Sequence, residues 1–123
     1  MNIDNVIFIV TEDVAYGELI QHTLSKQKSM HVILFDNADM CTKSLHKKPS
    51  VIITDYYLNK VSGLQLIQKA KSFYKNCFTI LISEDGAHSF SSFDDERFIK
   101  YVDKYIVKGM DDMEEMMNAL SYS

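Results

Sequence analysis

The chain has 123 residues, of which 46% are hydrophobic and 24% are charged, and its formal net charge is -4. This length allows one globular domain with a sizeable core, and it excludes a miniprotein that needs disulfides or metal to fold. The acidic balance, with Arg97 as the single arginine in the sequence, predicts no direct binding of nucleic acid or of an anionic membrane surface.

The first half of the chain alternates between short apolar runs and segments with helical spacing. The predicted elements are, in order, a strand over Val6–Val10, a helix with Ala15, Leu19 and Leu24 on its apolar face, a strand over His31–Phe35, a short helix from Ala38 to Lys47 and a strand over Val51–Thr54. The apolar runs are continuous and rich in β-branched residues, which is typical of strands covered on both faces.

The second half continues the same alternation. Its predicted elements are, in order, a helix with Leu64, Ile67 and Ala70 on one face, a strand over Phe78–Ile82, a long loop over Gly86–Ser92, a helix from about Phe93, a strand over Tyr105–Val107 and a final helix with the apolar stripe Met110, Met113, Met117 and Leu120. Ser62 and Gln65 have the spacing of a capping box at the start of the third helix. We interpret the methionines as core residues.

Alternation of strand and helix over five repeats predicts a doubly wound α/β fold, with a five-stranded parallel sheet, right-handed crossovers and helices on both faces. In such sheets, functional sites form beyond the carboxyl ends of the strands. The residues at these ends are Glu12, Asp13, Asp55, Ser83 and Lys108. We therefore expect these five side chains to meet at one edge of the sheet.

Three of these side chains are carboxylates, which repel one another unless a cation neutralises them. Mg²⁺ prefers hard oxygen ligands and usually takes only one or two protein carboxylates, together with waters and phosphate oxygens. With a lysine and a hydroxyl beside it, an aspartate can act as a nucleophile on phosphorus. Each residue alone has a simpler interpretation, since acids favour first helical turns and serines favour turns. Their joint placement favours phosphate chemistry.

Four segments carry a resemblance to a known family: F-I-V-T-E-D, V-I-I-T-D-Y-Y-L with Gly63 eight residues after Asp55, I-L-I-S, and Y-I-V-K. In this order and spacing, the sequence from Val6 to Leu120 resembles the receiver domain of two-component response regulators, the CheY-like family. The resemblance implies one receiver domain over residues 1–123. It also implies a flavodoxin/CheY-like sheet with strand order 2-1-3-4-5.

The resemblance also implies roles for the acidic residues. Asp55 would accept a phosphoryl group from a histidine kinase or a histidine phosphotransfer protein. Glu12 and Asp13 would hold Mg²⁺ together with Asp55 and the backbone carbonyl of Tyr57.

The remaining site residues would act as a switch. Lys108 would pair with the phosphoryl oxygens, the Ser83 hydroxyl would move toward the phosphoryl group, and Tyr105 would change rotamer to fill the vacated space. The face from Phe93 to Leu120 would then bind a downstream protein. If the receiver is part of a longer regulator, the formation of a homodimer through the last pair of helices would matter. The resemblance thus implies a signalling protein rather than an enzyme.

Cys41 and Cys77 have no metal-ligand spacing with the four histidines, and their usage is typical of buried thiols in a reducing compartment. The apolar run at the N-terminus is too short for a membrane span or a signal sequence. We therefore expect a cytoplasmic protein without a membrane segment.

Two positions depart from the family's common pattern, and the interval of 25 residues from Ser83 to Lys108 is a little longer than the family's. Asn59 stands where the family often has proline, and Gly109 follows Lys108 where the family commonly has a cis proline. A cis bond without proline costs about 2.5–4 kcal/mol, so the Lys108–Gly109 peptide could be trans or be held cis by its surroundings. Tyr57 lies where the family tunes access of hydrolytic water, and we hypothesise that its bulk slows autodephosphorylation.

Two other functions remain as alternatives. A pseudo-receiver would bind partners without carrying phosphate, and the departure at Gly109 is compatible with it. A phosphohydrolase of the haloacid dehalogenase type also uses an aspartate nucleophile, a lysine and Mg²⁺. Its signature requires a second aspartate two residues after the nucleophile, where this chain has Tyr57, so it is the weaker alternative.

Overall fold

The computed structural model describes residues 5–26, 30–84 and 96–121. The elements are β1 Asn5–Val10, α1 Val14–Ser25, β2 Met30–Phe35, α2 Ala38–Lys43, a 3-10 turn Leu45–Lys47, β3 Val51–Asp55, α3 Gly63–Phe73, β4 Phe78–Ser83, α4 Glu96–Tyr101, β5 Lys104–Val107 and α5 Asp112–Ser121. The predicted loop over Gly86–Ser92 and the predicted helix start at Phe93 lie outside the described residues.

The five strands form one sheet in the order β2-β1-β3-β4-β5, and every neighbouring pair is parallel. This order confirms the predicted 2-1-3-4-5 arrangement. The register aligns the carboxyl ends, because Val10 pairs with Thr54, Asp55 pairs with Ile82 and Ser83 pairs with Val107. Residues that follow these strands therefore share one edge of the sheet.

Alternate residues of β1 enter two separate apolar clusters. Ile7 and Ile9 pack with residues of α1 and α5, whereas Phe8 and Val10 pack with residues of α2 and α3. Strands buried on both faces need apolar residues at consecutive positions, which explains the continuous runs in the sequence. Among the described helices, none has the length and apolar character needed to cross a bilayer.

The buried face of α1 differs from the predicted one. Ala15 is exposed and Leu19 is half exposed, whereas Tyr16, Ile20 and Leu24 are buried. The buried face includes the Tyr16 ring, which packs in the apolar cluster and whose hydroxyl donates a hydrogen bond to a buried acid. The apolar spacing predicted Leu24 correctly and was wrong for the other two positions.

The final helix also begins later than its methionine stripe indicates. Met110 is fully exposed and precedes α5, while Met116 and Leu120 are buried. The helix starts at Asp112, whose carboxylate accepts hydrogen bonds from the backbone N–H groups of Gly109 and Met113. Met110 therefore lies in the preceding turn, outside the core.

Two shorter features of the prediction have different outcomes. The capping box at Ser62 and Gln65 is present in both directions, as predicted. The second helix is shorter than predicted, because α2 ends at Lys43 and the rest of the predicted segment forms a separate 3-10 turn over Leu45–Lys47. Lys48 then adopts a left-handed conformation before Pro49, which ends the segment.

Candidate functional site

The carboxyl ends of β1, β3, β4 and β5 surround a cavity of about 160 Å³. Its lining residues are Asp13, Asp55, Tyr57, Ile82, Ser83, Glu84 and Lys108. The structure thus brings together five of the predicted site residues at one edge of the sheet. Glu84 is an additional acid that the sequence analysis did not single out.

Asp55 is the last residue of β3 and is partly buried beneath this cavity. Thr11 Oγ1 donates a hydrogen bond to Asp55 Oδ2 over 2.5 Å, and the N–H of Asp13 donates to Thr11 Oγ1 over 3.1 Å. Because Thr11 is 1% exposed, this contact holds one carboxylate oxygen from the interior. The carboxyl group of Asp55 is therefore oriented from below, with the cavity on its other side.

The pKa of Asp55 is raised above its ordinary value, chiefly because burial penalises the charged carboxylate. The hydrogen bond from Thr11 and the positive charge of Lys108 lower this pKa, but they only partly offset the burial. The negative charges of Asp13 and Glu84 raise it further. A cation close to Asp55 would favour its ionised form.

Asp13 has the opposite electrostatic character. Its carboxylate caps α1 by accepting a hydrogen bond from the N–H of Tyr16, at 3.1 Å from Oδ1. Its Oδ2 pairs with Lys108 Nζ over 3.0 Å. The hydrogen bond from Tyr16 and then that from Lys108 hold the pKa of Asp13 below its ordinary value, so this carboxylate stays ionised.

Lys108 follows β5 and is held at several points. Its backbone N–H donates to the carbonyl of Ser83 over 2.8 Å, which continues the pairing between β4 and β5. Its ammonium lies 4.0 Å from the centroid of the Tyr16 ring, a cation–π geometry. Within the described residues, its ion pairs are with Asp13 at 3.0 Å and Glu84 at 3.9 Å rather than with Asp55. The Lys108–Gly109 peptide bond is trans.

Glu12 lies outside the cavity that Asp13 and Asp55 line. Its exposed carboxylate accepts a hydrogen bond from the backbone N–H of Asn59 over 2.6 Å. In the described part of the chain, no three or more His, Cys, Asp or Glu side chains cluster as metal ligands would. Two of the three cavity carboxylates, those of Asp13 and Asp55, nevertheless fit Mg²⁺, which takes one or two protein carboxylates and fills its other positions with waters and phosphate oxygens.

Of the other predicted residues, Ser83 and Tyr57 line the cavity, whereas Tyr105 does not. Ser83 is buried at the end of β4, and Tyr57 stands at the mouth of the cavity with 65% of its surface exposed. The Tyr57 ring packs edge-on against Tyr56, with centroids 4.8 Å apart. Tyr105 lies on β5, and its ring packs edge-on against Phe98 of α4 at 6.0 Å. Tyr105 thus joins the sheet to α4.

Residues 7–121 match the family model for the response regulator receiver domain. The chain belongs to this family. A search of curated proteins finds no match. The family match covers all the residues of the site described above and the whole sheet except the first two residues of β1, and it confirms the resemblance found in the sequence.

Solved receiver domains share this fold. A CheY-like receiver domain protein from Methanospirillum hungatei has 18% identity and a TM-score of 0.81, covering 96% of this chain and 91% of its own. A response regulator from Thermotoga maritima, solved with Mg²⁺ and BeF, has 18% identity and a TM-score of 0.81, covering 96% and 97%. One from Burkholderia pseudomallei, with a phosphorylated aspartic acid, has 17% identity and a TM-score of 0.79, covering 95% and 66%.

Besides Glu84, sequence reasoning missed three residues in or next to the site of this receiver domain. Thr11 precedes the acid pair directly, so a polar residue at the end of an apolar strand was an available signal. Tyr16 looked like an ordinary helix residue, and Asp112 looked like an acid in a first turn. Their hydrogen bond joins residues 96 positions apart, and no local pattern encodes such a contact.

Proposed function

We propose that this receiver domain is a phosphoacceptor switch, in which Asp55 takes a phosphoryl group from a phosphohistidine donor in a Mg²⁺-dependent reaction. The donor would be a histidine kinase or a histidine phosphotransfer protein in the cytoplasm. One observation carries the proposal: the oriented carboxylate of Asp55 lines one cavity with the carboxylate of Asp13 and with Lys108. A nucleophile, a cation-binding acid and an ammonium within one small cavity are the groups that phosphoryl transfer needs.

In the proposed reaction, an oxygen of Asp55 attacks phosphorus and forms the new P–O bond. The P–N bond to the donor's imidazole breaks, and the imidazole leaves with the electron pair. Thr11 holds Oδ2 from the interior, which favours attack by the oxygen nearer the cavity. Lys108 would contact the transferred group after a change in its side-chain conformation, because its present partner Asp13 lines the same cavity. The Ser83 hydroxyl would add a hydrogen bond to a phosphoryl oxygen.

Asp13 and Asp55 are the proposed primary ligands for Mg²⁺, with the backbone carbonyl of Tyr57 as a further ligand. Bound Mg²⁺ would offset the negative charge that builds up on the phosphoryl oxygens. Glu12 is also a proposed ligand, but its carboxylate would have to leave the N–H of Asn59 or act through a water. The Mg²⁺ and BeF in the Thermotoga maritima relative and the phosphorylated aspartic acid in the Burkholderia pseudomallei relative support this assignment.

The proposed output is a change in partner binding rather than turnover of a substrate. A phosphoryl group on Asp55 would draw the Lys108 ammonium and the Ser83 hydroxyl toward it, and Tyr105 would then repack. The contact between Tyr105 and Phe98 supports a path from β5 to α4. A downstream protein, or a second copy of the chain, would bind the face formed by α4, β5 and α5.

The test is the intact mass of the protein after incubation with Mg²⁺ and acetyl phosphate. We expect one added phosphoryl group, which disappears in the Asp55→Asn variant and in the presence of EDTA. Asp39→Asn is the matched control, since Asp39 is an exposed acid on α2 that pairs with Lys43. This variant should be phosphorylated like the parent chain.

Two other results would overturn the proposal. If neither acetyl phosphate nor beryllofluoride modifies or binds the parent chain, a docking module that works without phosphate becomes the better function. Steady hydrolysis of para-nitrophenyl phosphate would instead indicate a phosphohydrolase, although Tyr57 occupies the position where that class needs an acidic residue.

A further inference from the structure

A buried hydrogen bond joins α1 to the start of α5, next to the lysine of the site. The Tyr16 hydroxyl donates to Asp112 Oδ2 over 2.8 Å, and Asp112 is only 6% exposed. The same oxygen accepts the N–H of Gly109 over 3.1 Å, and Oδ1 accepts the N–H of Met113 over 2.7 Å. One carboxylate therefore ties α1, the first turn of α5 and the peptide group that follows Lys108 to one another.

The same tyrosine also contacts the lysine directly. The Lys108 ammonium lies 4.0 Å from the centroid of the Tyr16 ring while it pairs with Asp13. A cation–π contact depends on where the ring face lies, and the bond to Asp112 holds this ring at its far end. Tyr16 is thus linked to Lys108 in two ways. Its ring contacts the ammonium directly, and its hydroxyl bonds Asp112, which in turn bonds the backbone of Gly109.

From this geometry we infer that Tyr16 and Asp112 are positioning residues for Lys108, so that α1 and α5 together set where the ammonium stands relative to Asp55. The expected effect on the rate of phosphoryl transfer rests on the proposed function. Gly109 takes part through its backbone, because its N–H is one of the donors to Asp112. A proline at this position would lack that donor.

The contribution of an ammonium to phosphoryl transfer depends strongly on its distance from the reacting group. Loss of the Tyr16 hydroxyl would leave the buried Asp112 carboxylate without one of its three donors and would release the ring that lies under Lys108. Both effects displace Lys108 without touching Asp55. We expect Tyr16→Phe to slow phosphorylation of Asp55 by about three- to tenfold.

The first measurement observes Lys108 in the unphosphorylated protein. The ring of Tyr16 should shift the NMR signal of the Lys108 ε-methylene upfield from those of the other lysines, and a Lys108→Arg variant assigns the signal. We expect Tyr16→Phe and Asp112→Asn each to reduce this displacement. Tyr74→Phe is the matched control, because Tyr74 packs against the other apolar cluster. An unchanged Lys108 signal in Tyr16→Phe and Asp112→Asn would overturn the inference.

The second measurement is a double-mutant cycle on the rate of phosphorylation by acetyl phosphate. If Tyr16 acts through Lys108, Tyr16→Phe slows the parent chain but has no further effect in the Lys108→Ala background. Equal slowing in both backgrounds would indicate a general structural effect and would contradict the inference.

The two measurements separate the two proposals. A Lys108 signal that moves as expected, in a chain that takes no phosphoryl group, would overturn the proposed function and leave the positioning role standing. A chain that is phosphorylated normally, with a Lys108 signal indifferent to Tyr16→Phe and Asp112→Asn, would overturn the positioning role alone. Thermal unfolding of each variant verifies that the fold persists.

Discussion

Thr11 donates a hydrogen bond to Asp55 across 44 positions of sequence, with 2.5 Å between Oγ1 and Oδ2. The contact follows from the parallel pairing of β1 with β3, in which Val10 lies opposite Thr54. The residues that come next, Thr11 and Asp55, are therefore also neighbours. The hydroxyl has a fixed role, because its oxygen already accepts the N–H of Asp13 and its proton is directed to Asp55. Thr11 therefore acts on the proposed phosphoacceptor from the interior.

The first prediction concerns removal of this hydroxyl. The hydrogen bond from Thr11 lowers the pKa of Asp55, which burial otherwise raises, so Thr11→Val should raise that pKa further. Because the carboxylate is the proposed nucleophile, a higher pKa moves the acid limb of the rate profile to higher pH. We expect phosphorylation of Thr11→Val to be slower on the acidic side and to recover as the pH rises.

The measurement is the rate of phosphorylation by acetyl phosphate as a function of pH. Thr23→Val serves as the control, since Thr23 is a threonine of α1 whose hydroxyl bonds the carbonyl of Leu19, remote from Asp55. A Thr11→Val profile that coincides with that of the parent chain would exclude this role for the hydroxyl.

The second prediction concerns the lifetime of the phosphorylated state. Tyr57 is exposed at the mouth of the cavity, and its ring packs edge-on against the ring of Tyr56. A bulky ring at the entrance restricts the approach of a hydrolytic water, whereas a small amide would admit it. We expect Tyr57→Asn to shorten the phosphoryl lifetime several-fold, as measured by the decay of the phosphorylated mass after removal of the donor. Unchanged or slower decay would refute the hypothesis.

The third prediction compares two glycines. A Cβ at Gly63 would overlap the backbone oxygen of Asp55, and the N–H of Gly63 bonds the carbonyl of Tyr56 over 2.6 Å. A Cβ at Gly109 would meet nothing within 4 Å. We expect Gly63→Ala to lower the free energy of unfolding by about 1–3 kcal/mol and Gly109→Ala to change it by less than about 0.5 kcal/mol.

Urea unfolding of both variants measures this difference. The Gly63→Ala variant should also be phosphorylated more slowly, because the added methyl group must push the backbone at Asp55. Equal stability of the two variants would mean that the loop after β3 adapts to the extra atom without cost.

The fourth prediction concerns the two cysteines. Burial raises the pKa of Cys41 and of Cys77 to about 12, and both thiols are nearly inaccessible to solvent. At about pH 8 they should remain protonated and react with Ellman's reagent only as fast as the chain unfolds. Reaction in urea gives the total thiol count for comparison. Rapid labelling of the native protein would show that this side of the sheet opens locally.

Much of the fold was predictable because local patterns report burial directly. Continuous apolar runs identified the strands, since a strand covered on both faces has no polar side. The spacing of Ser62 and Gln65 identified the start of α3, because a capping box is complete within four residues. The buried face of α1 was predicted wrongly, because the Tyr16 ring packs inward with Ile20 and Leu24, and its hydroxyl bonds Asp112, a residue far away in the sequence.

The sequence by itself determined the parallel α/β architecture and the edge of the sheet at which Asp13, Asp55, Ser83 and Lys108 meet. Both follow from burial patterns and from the alignment of carboxyl ends in any parallel sheet. Their roles in phosphoryl transfer remain predictions for the experiments above.

Only the tertiary structure decided how the side chains at that edge are directed. Glu12 turns toward Asn59, Lys108 pairs with Asp13 over the ring of Tyr16, and Thr11 bonds Asp55. These contacts join residues far apart in the chain, and each depends on a side-chain rotamer that packing selects. A linear pattern records which residues reach the edge of the sheet, whereas the folded chain determines which of them touch.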